Sequence, residues 1–437
     1  MPGVFGDTEP PSRIRAGQDR RLARYARREL YAFSTWHRSR LDDAGLGRRG
    51  VRGAGDLRRL APVTLAEAGA DRAGGALLRP TLDALRRYGP RRLAVRLALA
   101  DAYGRLDQLG RRCVDPRYKP VHWTADGGFL VGWSAHDLDR LARLGARWLV
   151  GAGVTREDAL VSIVPAGPTL AFWELVLGAR AAGLSALHLD GAPSSADVVR
   201  LQPTVLAGGP LDLLRLAEDV GQEGGARLRS CRTVLAVGEP LDDGLRDRLS
   251  SEMPGATVVA AWAPPGVRAL WAECHGGDGV HLSPVAEVIE VVDPLSGVPV
   301  GSGSPGEVVW TALGWRGTAL LRLRTGVFGS LVEGPCPHCR RTSPRFLAAP
   351  TIPPFLDVLD RHPGVAAWQA ELRTVGGNEE LLVFLTPSPS AAADPGGLCR
   401  ALDEHLSATQ YVVVDRPTLD SRLRANDGRR LVDDRPA

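Results

Sequence analysis

Lysine is almost missing from this chain. Lys119 is the only one, and arginine supplies the rest of the basic charge. Any chemistry that needs an ammonium group must use Lys119 or do without. Long apolar runs are missing as well. No stretch is long enough to span a membrane, and the opening residues MPGVFGDTEPPSRIRAGQDRRLARYARREL lack the apolar middle of a secretory signal. These absences argue against a membrane partner and for a cytoplasmic protein, where the six cysteines are thiols or metal ligands rather than disulfides. A net charge of +4 over 437 residues, with no basic patch interleaved with aromatics, excludes a nucleic-acid footprint.

What is present divides the chain by texture. Residues 1–112 read as a helical region, with apolar residues at helical spacing in DRRLARYARRELYAFSTWHRSRL. Ser134 followed by Asp137 marks a helix start, with Leu138, Leu141 and Trp148 on one face. Strand and helix patterns then alternate from ALVSIVPAG to ATVVAAWA, which predicts a mostly parallel sheet covered on both faces. From about residue 268 the pattern turns β-rich and predicts a subdomain of antiparallel strands. Residues 347–437 read as a small α+β domain and residues 113–346 as the core before it. The expected fold class is α/β: a large N-terminal domain with a helical N-terminal region, mostly parallel sheets and a β-rich subdomain, plus a small α+β C-terminal domain.

The cysteines carry the first chemical signal. In WAECHGGDGVHL the glycine-rich piece should reverse the chain and bring Cys274 and His281 across a hairpin. Cys336 and Cys339 form a C-x2-C turn. Together the four make the Cys3His donor set of a closed structural zinc site, with no position left for water. His275 and His338 are rival ligands, and unpaired thiols or a C-x-x-C redox pair are the other readings.

The order of these residues, and the stretches around them, resembles the phenylacetate-CoA ligase branch of the adenylate-forming (AMP-binding) superfamily. The most specific stretch is VIEVVDPLSGVPVGSGSPGEVVWTAL followed by LLRLRTG. VLAVGEPLDDGLRDRLSSEMPGATVVAAWAPPG and HPGVAAWQAEL also carry the likeness. It implies activation of a carboxylic acid with ATP and Mg2+, then transfer to coenzyme A, and it implies zinc on Cys274, His281, Cys336 and Cys339.

The residues that such chemistry needs are altered. Where the family has a glycine-rich phosphate loop, the chain reads VHWTADGGF: Thr124, Gly127 and Gly128 remain, flanked by the bulky Trp123 and Phe129 and the anionic Asp126. At the tyrosine and glutamate of the family's YGxxE motif stand Trp262 and Gly266, and glycine cannot ligate Mg2+. Val327 replaces the ribose-binding aspartate after Arg322 and Arg324. Each lost carboxylate removes a charged partner worth roughly 1.5 to 3 kcal/mol. The segment joining the domains is shortened, and Arg429 stands where the family has its catalytic lysine.

Two functions are therefore weighed. One is an active ATP-dependent acyl- or aryl-CoA ligase that recruits Glu239, Arg324 and Arg429, with Trp262 stacked on a planar group. In the bland alternative Glu239 is a helix-end charge, Arg324 an exposed strand residue and Arg429 a solvated tail. The other function is a degenerate relative in which ATP, Mg2+ and CoA use is weakened or lost. That protein keeps the scaffold, the zinc site and a pocket for a small carboxylic acid or acyl ligand, lined by Trp173, Trp262 and Trp271 or else with these tryptophans as plain core.

Overall fold

The computed structural model describes residues 9–70, 76–89, 91–126, 128–190, 195–222, 228–350, 353–375, 378–406, 409–426 and 430–434. The chain forms two units. Residues 1–239 and 255–349 make the first, and residues 240–254 and 350–437 make the second. None of the described helices is long and apolar enough to cross a membrane.

The first unit opens with helices at Pro11–Tyr25, Thr35–Asp43, Leu65–Ala70, Leu82–Tyr88, Arg91–Ala102 and Leu106–Cys113. A hairpin follows, β1 (Pro120–Asp126) and β2 (Phe129–Ser134), closed by a two-residue connection between the paired Asp126 and Phe129. Ser134 then caps the helix Ala135–Gly151. Its hydroxyl accepts from the Asp137 N–H, and the Asp137 carboxylate accepts from the Ser134 N–H, closing a capping box. Leu141, Leu144, Trp148 and Leu149 bury the inner face of this helix, which packs on the helix Leu170–Ala182.

Strands β3 (Ala159–Ser162), β4 (Ser185–His188), β5 (Val205–Gly208), β6 (Thr233–Gly238) and β7 (Thr257–Trp262) pair in parallel, in the order β4-β3-β5-β6-β7. Burial of every residue of β5 explains its unbroken apolar pattern. The remaining strands are β8 (Trp271–Ala272), β9 (Val280–His281), β10 (Glu287–Val292), β11 (Gly306–Ala312), β12 (Leu323–Val332) and β13 (Arg345–Ala348). The antiparallel group continues the parallel sheet rather than starting a separate one. β8 pairs antiparallel to β7, and the single eleven-stranded sheet then runs β8-β9-β13-β12-β11-β10. The sheet is mixed because Trp262 pairs directly with Trp271 across a turn carrying two prolines and a glycine.

The second unit holds a four-stranded sheet in the order β16-β15-β14-β17, from β14 (Val365–Val375), β15 (Asn378–Pro387), β16 (Thr409–Val413) and β17 (Leu431–Asp433). Its core joins Leu359, Trp368, Val383, Leu385 and Leu402. The helix Asp243–Glu252 belongs to this unit, although in sequence it lies between β6 and β7. Arg430 ties the unit together: it pairs with Asp360 at 2.6 Å and with Asp242, and lies over the Trp368 ring at 4.5 Å. The helix Arg416–Ala425 and strand β17 were not apparent from the sequence pattern: the helix is short and rich in charge, and the strand has only three residues.

One buried carboxylate pins the amino ends of three parallel strands. Asp158, just before β3, accepts from the Thr155 N–H at 2.7 Å, the Thr204 hydroxyl at 2.7 Å and the Arg232 guanidinium (Nε at 2.8 Å). Thr204 precedes β5 and Arg232 precedes β6. Burial alone would raise the carboxyl. The hydrogen bonds from Arg232, Thr204 and Thr155 outweigh it and bring the value down to about 2. A depressed acid stabilises the fold fully above its unfolded value of about 3.9 and loses that contribution as pH falls through the folded value. Asp158→Asn should therefore lower stability at neutral pH and flatten the stability–pH curve between about pH 4 and 2, as read by urea unfolding across that range.

Candidate functional site

The strongest side-chain constellation is the quartet Cys274, His281, Cys336 and Cys339, whose donor atoms all lie within 4.8 Å of one another. Two short elements deliver it. The β8–β9 hairpin pairs Ala272 with His281, which brings Cys274 and the imidazole to one end. The C-x2-C turn is closed by hydrogen bonds from the Cys336 N–H to the Arg341 carbonyl and from the Arg340 N–H to the Cys336 carbonyl. Cys274 Sγ and Cys336 Sγ are 3.8 Å apart, and Cys339 Sγ lies 3.3 Å from His281 Nε2. A tetrahedral ion with S and N donors places sulfur atoms about 3.8 Å apart and sulfur and nitrogen about 3.5 Å apart. Those two separations are close to these values.

Burial dominates the electrostatics of the quartet. Burial, then Arg341, Arg345 and Arg147, push His281 down to about 3, so its imidazole is neutral. Burial pushes the Cys339 thiol up to about 12 and also raises Cys274. Cys336 is held low: burial would raise it, but the N–H groups of Cys339 and His338 prevail. His275 and His338 are exposed outside the quartet, their rings 6.5 Å apart.

Among the described residues, most of the polar side chains at positions that the resemblance assigns to nucleotide chemistry are engaged by internal partners. Thr124 is buried in β1, and its hydroxyl accepts from the Trp133 indole at 2.9 Å. Gly128 sits in the hairpin connection with a φ of 78°. Gly127 and Arg429 lie outside the described residues. Arg324 is occupied by Glu307, with Nε 2.9 Å from Oε2, and also donates to the Pro294 carbonyl. Arg322 is buried on Glu290 at 3.0 Å and on the carbonyls of Leu60 and Gly297. Trp262 is buried edge-on against Trp271, with ring centroids 5.3 Å apart. Trp173 packs elsewhere, 4.3 Å from the His122 ring. Glu239 follows β6, and Trp262 ends β7 opposite Gly238. Both lie at the carboxyl edge of the parallel strands, where ligands of such sheets bind.

Gly266, the position that the resemblance aligns with the family's Mg2+-binding glutamate, has a left-handed backbone and is crowded by two leucine side chains. Its φ is 81°, and a Cβ would meet Leu65 Cδ2 at 2.6 Å and Leu323 Cδ2 at 3.1 Å. Leu65 arrives because the segment before it adds to β12: the Val63 N–H donates to the Arg322 carbonyl and the Arg324 N–H to the Val63 carbonyl.

Glu287 and Glu174 are among the buried carboxyl groups that escaped the sequence reading. Glu287 Oε2 accepts from the Trp271 and Trp310 indoles at 3.0 and 2.9 Å, and Oε1 accepts from the Ser283 N–H at 2.7 Å. Glu174 accepts from the Leu270 N–H at 2.7 Å. Burial raises the carboxyl of each. For Glu287 a signal existed: it shares an alternating strand face with Ile289 and Val291.

No family model matches the chain. Among curated proteins it is similar to the phenylacetate-coenzyme A ligase of Thermus thermophilus, 26% identical over 358 residues, covering 78% of this chain and 70% of that one. It is also similar to the phenylacetate-coenzyme A ligase of Escherichia coli, 25% identical over 225 residues, covering 48% of this chain; the match spans only 50% of the E. coli protein's length. Among solved structures, 2-hydroxyisobutyryl-CoA ligase in its postadenylation state superposes with a TM-score of 0.77 at 19% identity, covering 98% of this chain and 91% of that one. A benzoate CoA ligase from Burkholderia xenovorans reaches a TM-score of 0.52 at 14% identity, covering 74% of this chain and 75% of that one. These likenesses give the fold.

Closure of the Gly266 position has a measurable consequence. Gly266→Ala should destabilise the chain by about 1–3 kcal/mol, through left-handed backbone strain and overpacking together. Adding Leu65→Ala should recover only the overpacking share. Thermal unfolding of the single and double variants reads both.

Proposed function

We propose, for a chain that has the fold of the adenylate-forming ligases and resembles phenylacetate-CoA ligases in sequence, a degenerate relative in which ATP-dependent carboxylate activation is weakened or lost. The observation that carries this reading is Gly266. Where the family's chemistry calls for a carboxylate on Mg2+, the chain has a glycine with a left-handed backbone, crowded by the side chains of Leu65 and Leu323. Two further features support it. The phosphate-loop position is reduced to a two-residue connection, and Arg324 is neutralised by Glu307. The protein in this reading keeps the scaffold for binding a small acyl or aryl carboxylate in the cytoplasm, and leaves nucleotide and CoA unused.

A second reading, an active acyl- or aryl-CoA ligase with non-standard residues, has one observation in its favour. Glu239 and Trp262 stand side by side at the carboxyl ends of β6 and β7. Calorimetric titration with MgATP separates the two. The degenerate reading expects no heat of binding at millimolar ATP and no pyrophosphate exchange with aryl or aliphatic acids. Micromolar ATP binding, or AMP formation with any acid of the panel, would establish the ligase instead.

We further infer that the Cys3His quartet holds a structural zinc. Thiolates and a neutral imidazole suit that ion, and four protein donors leave it no open position for chemistry. Purified protein should contain about one equivalent of zinc, absent from the Cys336→Ser/Cys339→Ser variant. A strong chelator should lower the melting temperature of the wild type and leave that of the variant unchanged.

A further inference from the structure

The single lysine is not absorbed by either reading. Lys119 lies at the amino end of the β1–β2 hairpin, opposite the connection between Asp126 and Phe129. There a cavity of about 370 Å3 opens between the hairpin and the segments around residues 77–80 and 114–118. It is a shallow depression, largely open to solvent, with a volume in the range of small-molecule sites.

The lining separates into an apolar part and a cationic part. Leu77 and Leu78 are buried and form an apolar part of the wall. Trp123 also lines the cavity and is 45% exposed, a large apolar surface left uncovered. Its ring is seated on its cross-strand partner Gly132, where a Cβ would stand only 3.1 Å from the ring and 3.2 Å from Leu77. That seat holds the indole in place, so stacking a planar or aliphatic group on it costs little ordering.

Two exposed cations, Arg79 and Lys119, line the same cavity, and among the described residues neither has an ion-pair partner. Tyr118 adds a phenol to the wall. Asp115 is the one carboxylate there, so the lining carries one net positive charge. An apolar surface beside an excess cation selects an apolar body with one negative head; a dianion or a cation would fit the charge less well.

We propose that this cavity binds a hydrophobic monocarboxylate, its apolar body on Trp123 and the leucines and its carboxylate on Lys119 and Arg79. The site takes Trp123 from the stretch expected as the phosphate loop and lies toward the opposite end of the hairpin from Gly128. It requires no nucleotide, so it stands whether or not the chain activates acids.

Because the chain has one lysine, chemical modification reports on this cavity directly. The full chain is treated with an amine-reactive acylating reagent, without ATP, and modification of the Lys119 peptide is followed by mass spectrometry. Phenylacetate should slow that modification severalfold and saturably. Phenylacetamide, of similar shape but uncharged, should not, and acetate should act only at far higher concentration. Trp123→Ala and Arg79→Ala should each weaken the protection. A Lys119 rate unaffected by phenylacetate at millimolar concentration would overturn the proposal. So would equal protection by phenylacetamide, or undiminished protection in Trp123→Ala. If the variants fail to fold, saturation-transfer NMR on the wild type decides. Transfer to the phenylacetate ring must disappear after acylation of Lys119, and its persistence places the ligand elsewhere.

Discussion

The first unit is organised around a charge that water never reaches. Asp137 is fully buried, and it accepts from the N–H groups of Arg316 at 2.9 Å, Gly317 at 2.6 Å and Ser134 at 3.2 Å. Arg268, equally buried, faces it at 3.4 Å and lies over the Trp133 ring at 3.9 Å and the Trp315 ring at 5.0 Å. Burying such a pair costs several kcal/mol per ion unless every donor and lone pair is used. The cost is offset in part by backbone N–H groups, a carbonyl of Thr318 and two aromatic faces, while Arg268 Nε has no hydrogen-bond partner among the described residues. Burial would raise the Asp137 carboxyl, yet His136, Arg268 and the N–H groups hold it low. The arrangement fixes the end of β2, the first turn of the helix Ala135–Gly151 and the loop before β12 to one another. The hairpin that carries Thr124 at one side and Trp123 at the other is thus anchored at its base.

Half of this anchor could be read from the sequence. Ser134 and Asp137 are three residues apart, and a capping box is a local pattern. The other half could not, because Arg268 and Gly317 reach Asp137 from 131 and 180 positions away. The same division runs through the candidate site. The Cys/His quartet was legible because each pair of donors sits in its own short turn, and thiolate and imidazole have few other uses together. The alternation of strands and helices likewise gave the parallel sheet. Closure of the Gly266 position was not legible, since Leu65 comes from the helical region through its pairing with β12. The joining of the antiparallel strands to the parallel sheet rests on two residue pairs between β7 and β8, too few to leave a periodic signal.

Taken together, the chemistry is distributed unevenly over a well-preserved frame. The donor quartet is complete and its geometry is consistent. At the positions of the resemblance's ATP motifs, polar groups are spent on internal partners: Thr124 on Trp133, Arg324 on Glu307, Arg322 on Glu290. A side chain already satisfied by a neighbour must break that contact before it can hold a ligand, which lowers its affinity for anything that arrives. Arg79 and Lys119, without an ion-pair partner among the described residues, line the depression with Trp123.

The make-up of the second unit limits how this chain can be taken apart. That unit is discontinuous: the peptide from 240 to 254 leaves the middle of the first unit's sequence and contributes the helix Asp243–Glu252. A fragment cut at Pro350 would retain the four strands but lack Asp242, stranding one side of the Arg430 guanidinium. Exon-like shuffling of the C-terminal segment, or its excision by a protease, would therefore deliver an incomplete body. The protein's modular appearance along the sequence does not correspond to a separable module in space.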